Sequence, residues 1–183
     1  QKLIGNLRYS ITHPTKMPIH SDHIKEKLNA QFSDGIISWD ASSDILALEV
    51  VPSINLKVLT FLYDEPTLGF QFLTDLTGVH YPDQPGKEIG VVYHLHNLKE
   101  NARLRMKIFV PIEKPDVFTA SGLFSGANWM ERETFDFYGI HFIGHPNLKR
   151  VLNVDEMDYH PLRKEYPLED QTRIDKDDEM FGR

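Results

Sequence analysis

Residues 89–110 constrain this chain more than any other stretch. Residues 89–98 and 103–110 are each long enough for a strand, and the polar turn Lys99-Glu100-Asn101-Ala102 joins them. In the second segment Leu104, Met106, Ile108 and Val110 alternate with Arg103, Arg105, Lys107 and Phe109. Successive side chains on a strand point to opposite faces, so this antiparallel pair has one apolar face and one mostly basic face. The apolar face has to be covered, and the rest of the chain must supply the cover.

Two upstream segments have the period to do so. Ile24, Leu28 and Phe32 recur at steps of four in a helix predicted over 21–32, with Ser21 as its cap. Pro52-Ser53 opens a second helix to about Tyr63, with Ile54, Val58, Leu59 and Leu62 on one face. Between them, 36–39 and 45–51 read as a strand pair around the turn Asp40-Ala41-Ser42-Ser43-Asp44, and 70–75 is a further short strand. The expected fold is α+β: a two-layer sandwich of a mixed, largely antiparallel sheet with helices on one face, plus an extended C-terminal arm. A third helix is predicted over 121–138 with a break near Gly126, and a short strand over 151–154. From Tyr159 onward the chain is polar, with isolated Leu162, Tyr166, Leu168, Ile174, Met180 and Phe181. The organisation read from these patterns is a lead-in over 1–18, a domain over 19–154 and an extended polar, acidic arm over 155–183.

Composition excludes several functions. The chain has no cysteine, so no disulfide, thiolate nucleophile or cysteine ligand for zinc or an iron–sulfur cluster is available from it. The net charge is −7 over 183 residues, and residues 155–183 hold ten Asp or Glu against five Lys or Arg. An acidic balance of this kind disfavours nucleic-acid binding, which needs a clustered basic surface. No apolar run approaches the roughly 20 residues of a membrane-spanning helix, so direct membrane insertion is not expected. The chain begins at Gln1 rather than Met, as a fragment does.

Candidate chemistry is sparse. His94 and His96 lie two apart on a predicted strand and share a face, with His80 as a conceivable third metal ligand. The competing reading is an ordinary polar sheet surface, and it is preferred. His20, His23, His141 and His145 have no nucleophile beside them, and there is no GxGxxG, GxxxxGK[ST] or HExxH motif. Glu131 and Glu133 are not an acid/base pair, because residues two apart on a helix point about 200° apart. They are expected in solvated or interface salt bridges, and Arg132 and Asp136, at i and i+4, are expected to pair on the outer face.

The third helix carries more aromatic surface than one core contact can absorb. Leu123, Ala127, Met130, Thr134 and Phe137, spaced 4-3-4-3, form the expected core stripe. Trp129 and Phe135 then project roughly 120° to either side of it, and Tyr138 flanks it. Large apolar groups off the core face point to a second packing surface.

These residues also carry a family resemblance. The run Asn128-Trp129-Met130-Glu131-Arg132-Glu133-Thr134-Phe135-Asp136-Phe137-Tyr138-Gly139-Ile140 resembles the signature of the 30 kDa subunit of respiratory complex I, the C subunit of NADH-quinone oxidoreductase. It continues through Phe142, Gly144-His145-Pro146, Leu148, Arg150 and Leu152 to His160-Pro161-Leu162-Arg163-Lys164-Glu165-Tyr166-Pro167-Leu168. Upstream, Asp75-Leu76-Thr77, Val91-Val92-Tyr93-His94-Leu95, Leu98-Lys99 and Arg103-Leu104-Arg105-Met106-Lys107 match as well. Two departures are His80, where Asp is frequent, and Phe124, where Trp is frequent.

The resemblance implies a non-catalytic, cofactor-free structural subunit of the peripheral arm of a proton-translocating NADH:quinone oxidoreductase. Such a subunit braces the D and B subunits, which provide the quinone site and hold the terminal cluster, near the cluster-bearing I subunit. FMN, iron–sulfur clusters, NADH and quinone are held by other subunits. The implied location is peripheral, on the cytoplasmic face of a bacterial inner membrane or the matrix side in a mitochondrion. The HPLRKEYPL segment is expected to leave the domain and run over a neighbour. The residues expected at contacts with other subunits are Trp129, Glu131, Arg132, Glu133, Phe135, Tyr138, His145, Arg150, His160, Arg163, Lys164 and Tyr166. The equivalent subunit of a membrane-bound hydrogenase is an alternative, and a small His-metal enzyme is a rival of another class. The charged ending at Phe181-Gly182-Arg183 suits a 30 kDa subunit fused to the quinone-site subunit.

Overall fold

The computed structural model of the chain describes residues 20–167. The expected lead-in over 1–18 and the apolar residues Leu168, Ile174, Met180 and Phe181 of the arm lie outside the described residues. The elements are α1 (Ser21–Phe32), β1 (Ile36–Asp40), β2 (Leu46–Val50), α2 (Asn55–Asp64), β3 (Phe72–His80), β4 (Ile89–Asn97), β5 (Ala102–Val110), β6 (Asp116–Phe118), α3 (Ala127–Tyr138) and β7 (His141–Ile143).

Five strands form one sheet in the order β1-β2-β5-β4-β3. All neighbours are antiparallel except β2 and β5. The 89–110 hairpin is its centre, as the alternation requires. Ile89, Val91, Tyr93 and Leu95 stand opposite Val110, Ile108, Met106 and Leu104, and all eight are buried. Ile24 and Leu28 of α1 and Val58, Leu59 and Leu62 of α2 close over them in one core. The opposite face of the sheet carries His94, His96, Arg103, Arg105 and Lys107, which alternate with those core positions. The fold is therefore the expected α+β sandwich.

Strand β3 runs to His80, well past the expected end at 75. Its inward positions there are Leu76, Gly78 and His80, opposite Tyr93, Val91 and Ile89. Glycine and histidine at core positions hide the apolar alternation. Gly78 is required by a neighbour: a Cβ there would lie 2.4 Å from Cδ2 of Tyr138. The ring of Tyr138 thus packs α3 onto the core face of β3.

Around α3 the structure corrects two expectations and adds one element. The helix begins at Ala127, not at 121; Leu123 and Phe124 instead close turns onto the carbonyl of Ala120. Residues 151–154 form no strand but a bend. A second, two-stranded parallel sheet of β6 and β7, each three residues long, was too short to leave a pattern.

Candidate functional site

The signature residues converge on α3 and its two ends. The buried positions of α3 are Ala127, Glu131, Thr134 and Asp136, whereas Met130 and Phe137 are half-buried. The inward stripe keeps Leu123, Ala127, Met130 and Thr134 of the expected one, takes Tyr138 in place of Phe137, and admits Glu131, which places a carboxyl group in the core. Glu131 is 0% exposed. Its Oε2 accepts from the Thr119 hydroxyl, and its Oε1 accepts the Ala120 amide N–H at 2.6 Å. Burial pushes the Glu131 carboxyl up to about 7, against the lowering pull of those two hydrogen bonds. The side chain of His145 is equally inaccessible, with Nε2 4.0 Å from Glu131 Oε2. That Nε2–H donates to the Asn128 carbonyl at 3.0 Å, while Nδ1 accepts the Asn147 N–H. Glu131 and His145 hold the approach to α3 against its own N-terminal turns, with both side chains inaccessible.

Asp136 is the second buried carboxylate, and its partner is not the expected one. The Arg132–Asp136 pair does not form. Asp136 Oδ1 instead binds Arg150 Nη1 at 2.7 Å and Asn153 Nδ2 at 3.0 Å. Its Oδ2 accepts the backbone N–H groups of Val151, Leu152 and Asn153 at 2.8–3.0 Å. Burial alone would raise this carboxyl, but the donations from Asn153, Leu152 and Val151 outweigh it and hold Asp136 well below the usual carboxylate range. This anion-organised loop occupies the place of the expected strand at 151–154. Arg132 lies alongside: its guanidinium stacks 4.7 Å from the Trp129 ring centroid and donates to the carbonyls of Lys149 and Arg150 at 3.2 Å.

The C-terminal end of α3 is clasped by the HPLR segment. A helix leaves its last carbonyls without intrahelical partners, and its dipole favours positive charge there. Here Phe135 O accepts Gly139 N–H, and Asp136 O accepts both Arg150 Nη1 and His160 Nδ1–H at 3.0 Å. Phe137 O accepts Leu162 N–H, and Tyr138 O accepts Arg163 Nε at 2.8 Å. Gly139 is left-handed, with φ 76°, and a Cβ on it would lie 2.5 Å from His160. Only glycine meets both demands. The segment expected to leave the domain thus lies against it. Lys164 N–H donates to buried His80 Nδ1 at 2.9 Å, and the rings of Tyr159 and Tyr166 pack 4.8 Å apart.

The twelve expected contact residues therefore fall into two groups. Glu131, His145, Arg150, His160 and Arg163 are engaged inside the domain and its clasp. Phe135 is half-buried with its ring 5.9 Å from His160, and Tyr138 is half-buried over Gly78. Outward lie Glu133, Lys164, Tyr166 and above all Trp129, which is 62% exposed. Arg132 is half-buried beside it. Two exposed apolar residues outside the expected contact set, Leu152 and Val154, sit on the loop that Asp136 organises.

The histidine metal site does not assemble. His80 pairs with Ile89 on the core face, opposite to His94 and His96. His94 Nε2 accepts Arg105 Nε at 2.9 Å, and His96 Nε2 lies 3.1 Å from Asn101 Oδ1.

Comparison with known proteins agrees with this arrangement. A family model described as the respiratory-chain NADH dehydrogenase 30 Kd subunit matches residues 48–172, from β2 to beyond the clasp. The C subunit of NADH-quinone oxidoreductase from Xanthobacter autotrophicus is 40% identical over 153 residues, 84% of this chain and 72% of the relative. Its counterpart in Azorhizobium caulinodans is 44% identical over 135 residues, 74% of this chain and 63% of the relative. Among solved structures, a trypsin-resistant fragment of Nqo5 (1-134) superposes with a TM-score of 0.58 at 28% identity, covering 68% of this chain and 98% of the fragment. A chain of the membrane-bound sulfane sulfur reductase, an archaeal respiratory membrane complex, superposes with a TM-score of 0.67 over 80% of this chain and 85% of its own. At 20% identity, that second likeness shows the fold alone. The matched region takes in α3, the Asp136 loop and the clasp, and the chain belongs to the 30 kDa subunit family of the respiratory-chain NADH dehydrogenase.

Proposed function

We propose that this chain is a non-catalytic structural subunit of the peripheral arm, bracing the cluster-holding B and quinone-site D subunits near the I subunit. FMN, the clusters, NADH and quinone would be held by those and other neighbours, and the chain would sit peripherally on the cytoplasmic side of a bacterial membrane. No described helix is long and apolar enough to cross a membrane. The identity of 38–44% with NADH-quinone oxidoreductase relatives favours NADH dehydrogenase over a hydrogenase as the parent complex.

The observation that carries this reading is Trp129. Its indole is 62% exposed on a helix fixed at both ends by buried carboxylates, and the Arg132 guanidinium holds one ring face. A rigid, preorganised tryptophan loses little entropy on docking, and such residues are frequent binding anchors. The signature's other charged groups are mostly used to build the platform under it. Trp129→Ala should leave the purified chain folded but prevent its incorporation into the assembled complex. Normal assembly of that variant would overturn the reading.

A further inference from the structure

The surface around Trp129 extends beyond the helix. Trp129, Arg132 and Asp136 lie at i, i+3 and i+7 and so share one side of α3. Arg132 fastens the carbonyls of Lys149 and Arg150 to that side, and Asp136 fastens the amides of 151–153 about 6 Å further along the axis. With its backbone held inward, the loop presents Leu152 and Val154, 65% and 62% exposed. Arg150 Nη2 then donates to the carbonyls of Met157 and Tyr159 at 2.7 and 2.9 Å, which ties the following turn to the same Arg150–Asp136 pair. This turn carries Asp155, Glu156 and Asp158, all exposed, and Glu133 is exposed on α3 itself.

We propose that this surface receives a basic segment of a neighbouring subunit with apolar side chains at its centre; the inference rests on the docking role proposed above. Three exposed apolar groups share α3 and its attached loop with four exposed carboxylates, none of them ion-paired among the described residues. The nearby positive charges are Lys149, Arg132, whose guanidinium is occupied by carbonyls, and Arg150, which is paired with Asp136 and bonded to the Met157 and Tyr159 carbonyls. An apolar centre with a charged rim has the anatomy of a protein interface, and the sign of the rim selects the partner. A second copy of this chain meeting the same face would set carboxylate against carboxylate. An anionic membrane surface would be repelled in the same way. Lysine or arginine flanking an apolar stretch is the complement that remains.

The test is rebinding of the purified chain to NADH dehydrogenase isolated from a strain lacking this subunit, with rates measured at low and high salt. The wild-type on-rate should fall steeply with salt. Asp155→Lys/Glu156→Lys, exposed positions whose folding is checked by circular dichroism, should lower the low-salt on-rate about tenfold and flatten its salt dependence. Trp129→Ala should raise the off-rate and leave the salt slope intact. A salt-independent on-rate, or a double variant that binds as fast as or faster than wild type, overturns the basic partner while the bracing role stands. Unchanged rebinding of Trp129→Ala would instead remove the bracing role on which it rests.

Discussion

Replacing Glu131 by glutamine isolates the buried carboxyl under α3. Glutamine keeps an oxygen to accept the Ala120 N–H and removes the titration. The folded carboxyl titrates at about 7 against an ordinary value of 4.5. A carboxyl raised in the folded state retains a proton that the unfolded chain has already released. Wild-type stability is therefore full below about 4.5 and is lost as pH rises toward 7, by about 1.4 kcal/mol per unit. Between pH 5 and 8 the loss is about 2.5 kcal/mol, a large share of a marginal folding free energy. Urea unfolding followed by tryptophan fluorescence from pH 5 to 8 measures it. The glutamine variant should gain on wild type by about that amount across the range, with no change in denaturant slope. Two pH profiles that run parallel would refute the reasoning, because they would mean an ionised Glu131 with a counter-charge. The nearest side chain that could supply one is His145, whose Nε2 lies 4.0 Å from Glu131 Oε2.

Asp136→Ala should cost about 3–5 kcal/mol, since it leaves Arg150 without its carboxylate and three amides without an acceptor. Limited proteolysis should then cut within 149–163. The depressed titration of Asp136 also makes the clasp acid-labile: its contribution is present above about 3.8 and declines as pH falls below that value. Gly78→Ala should destabilise by about 1–3 kcal/mol through overlap with Tyr138, and much of that cost should vanish in a Tyr138→Ala background when melting temperatures are compared.

Much of the fold was legible because β4 and β5 obey a strict period of two, and α1 and α2 place their apolar residues at helical spacing. Strand β3 was half legible: its second half places Gly78 and His80 inward, which serve Tyr138 and the Lys164 amide rather than a hydrophobic pattern. The site was legible as a place and not as a mechanism of assembly. Trp129 and its surplus aromatic surface stood out from the periodicity of α3. Asp136 did not, because its partners are backbone amides 15–17 residues away, which have no sequence signature. Glu131 is hidden for a related reason. A carboxyl at a core position looks outward-facing until the loop that satisfies it, Thr119-Ala120, is known to fold beneath it.

The most direct measurement is complementation of a strain lacking this subunit with the Trp129→Ala chain, read as NADH:quinone turnover in membranes beside the melting temperature of the purified protein. If Trp129 anchors the subunit to its neighbours, turnover and assembled complex fall severalfold while the melting temperature stays within a few degrees of wild type. Full turnover with a normally assembled complex would contradict the docking role of α3.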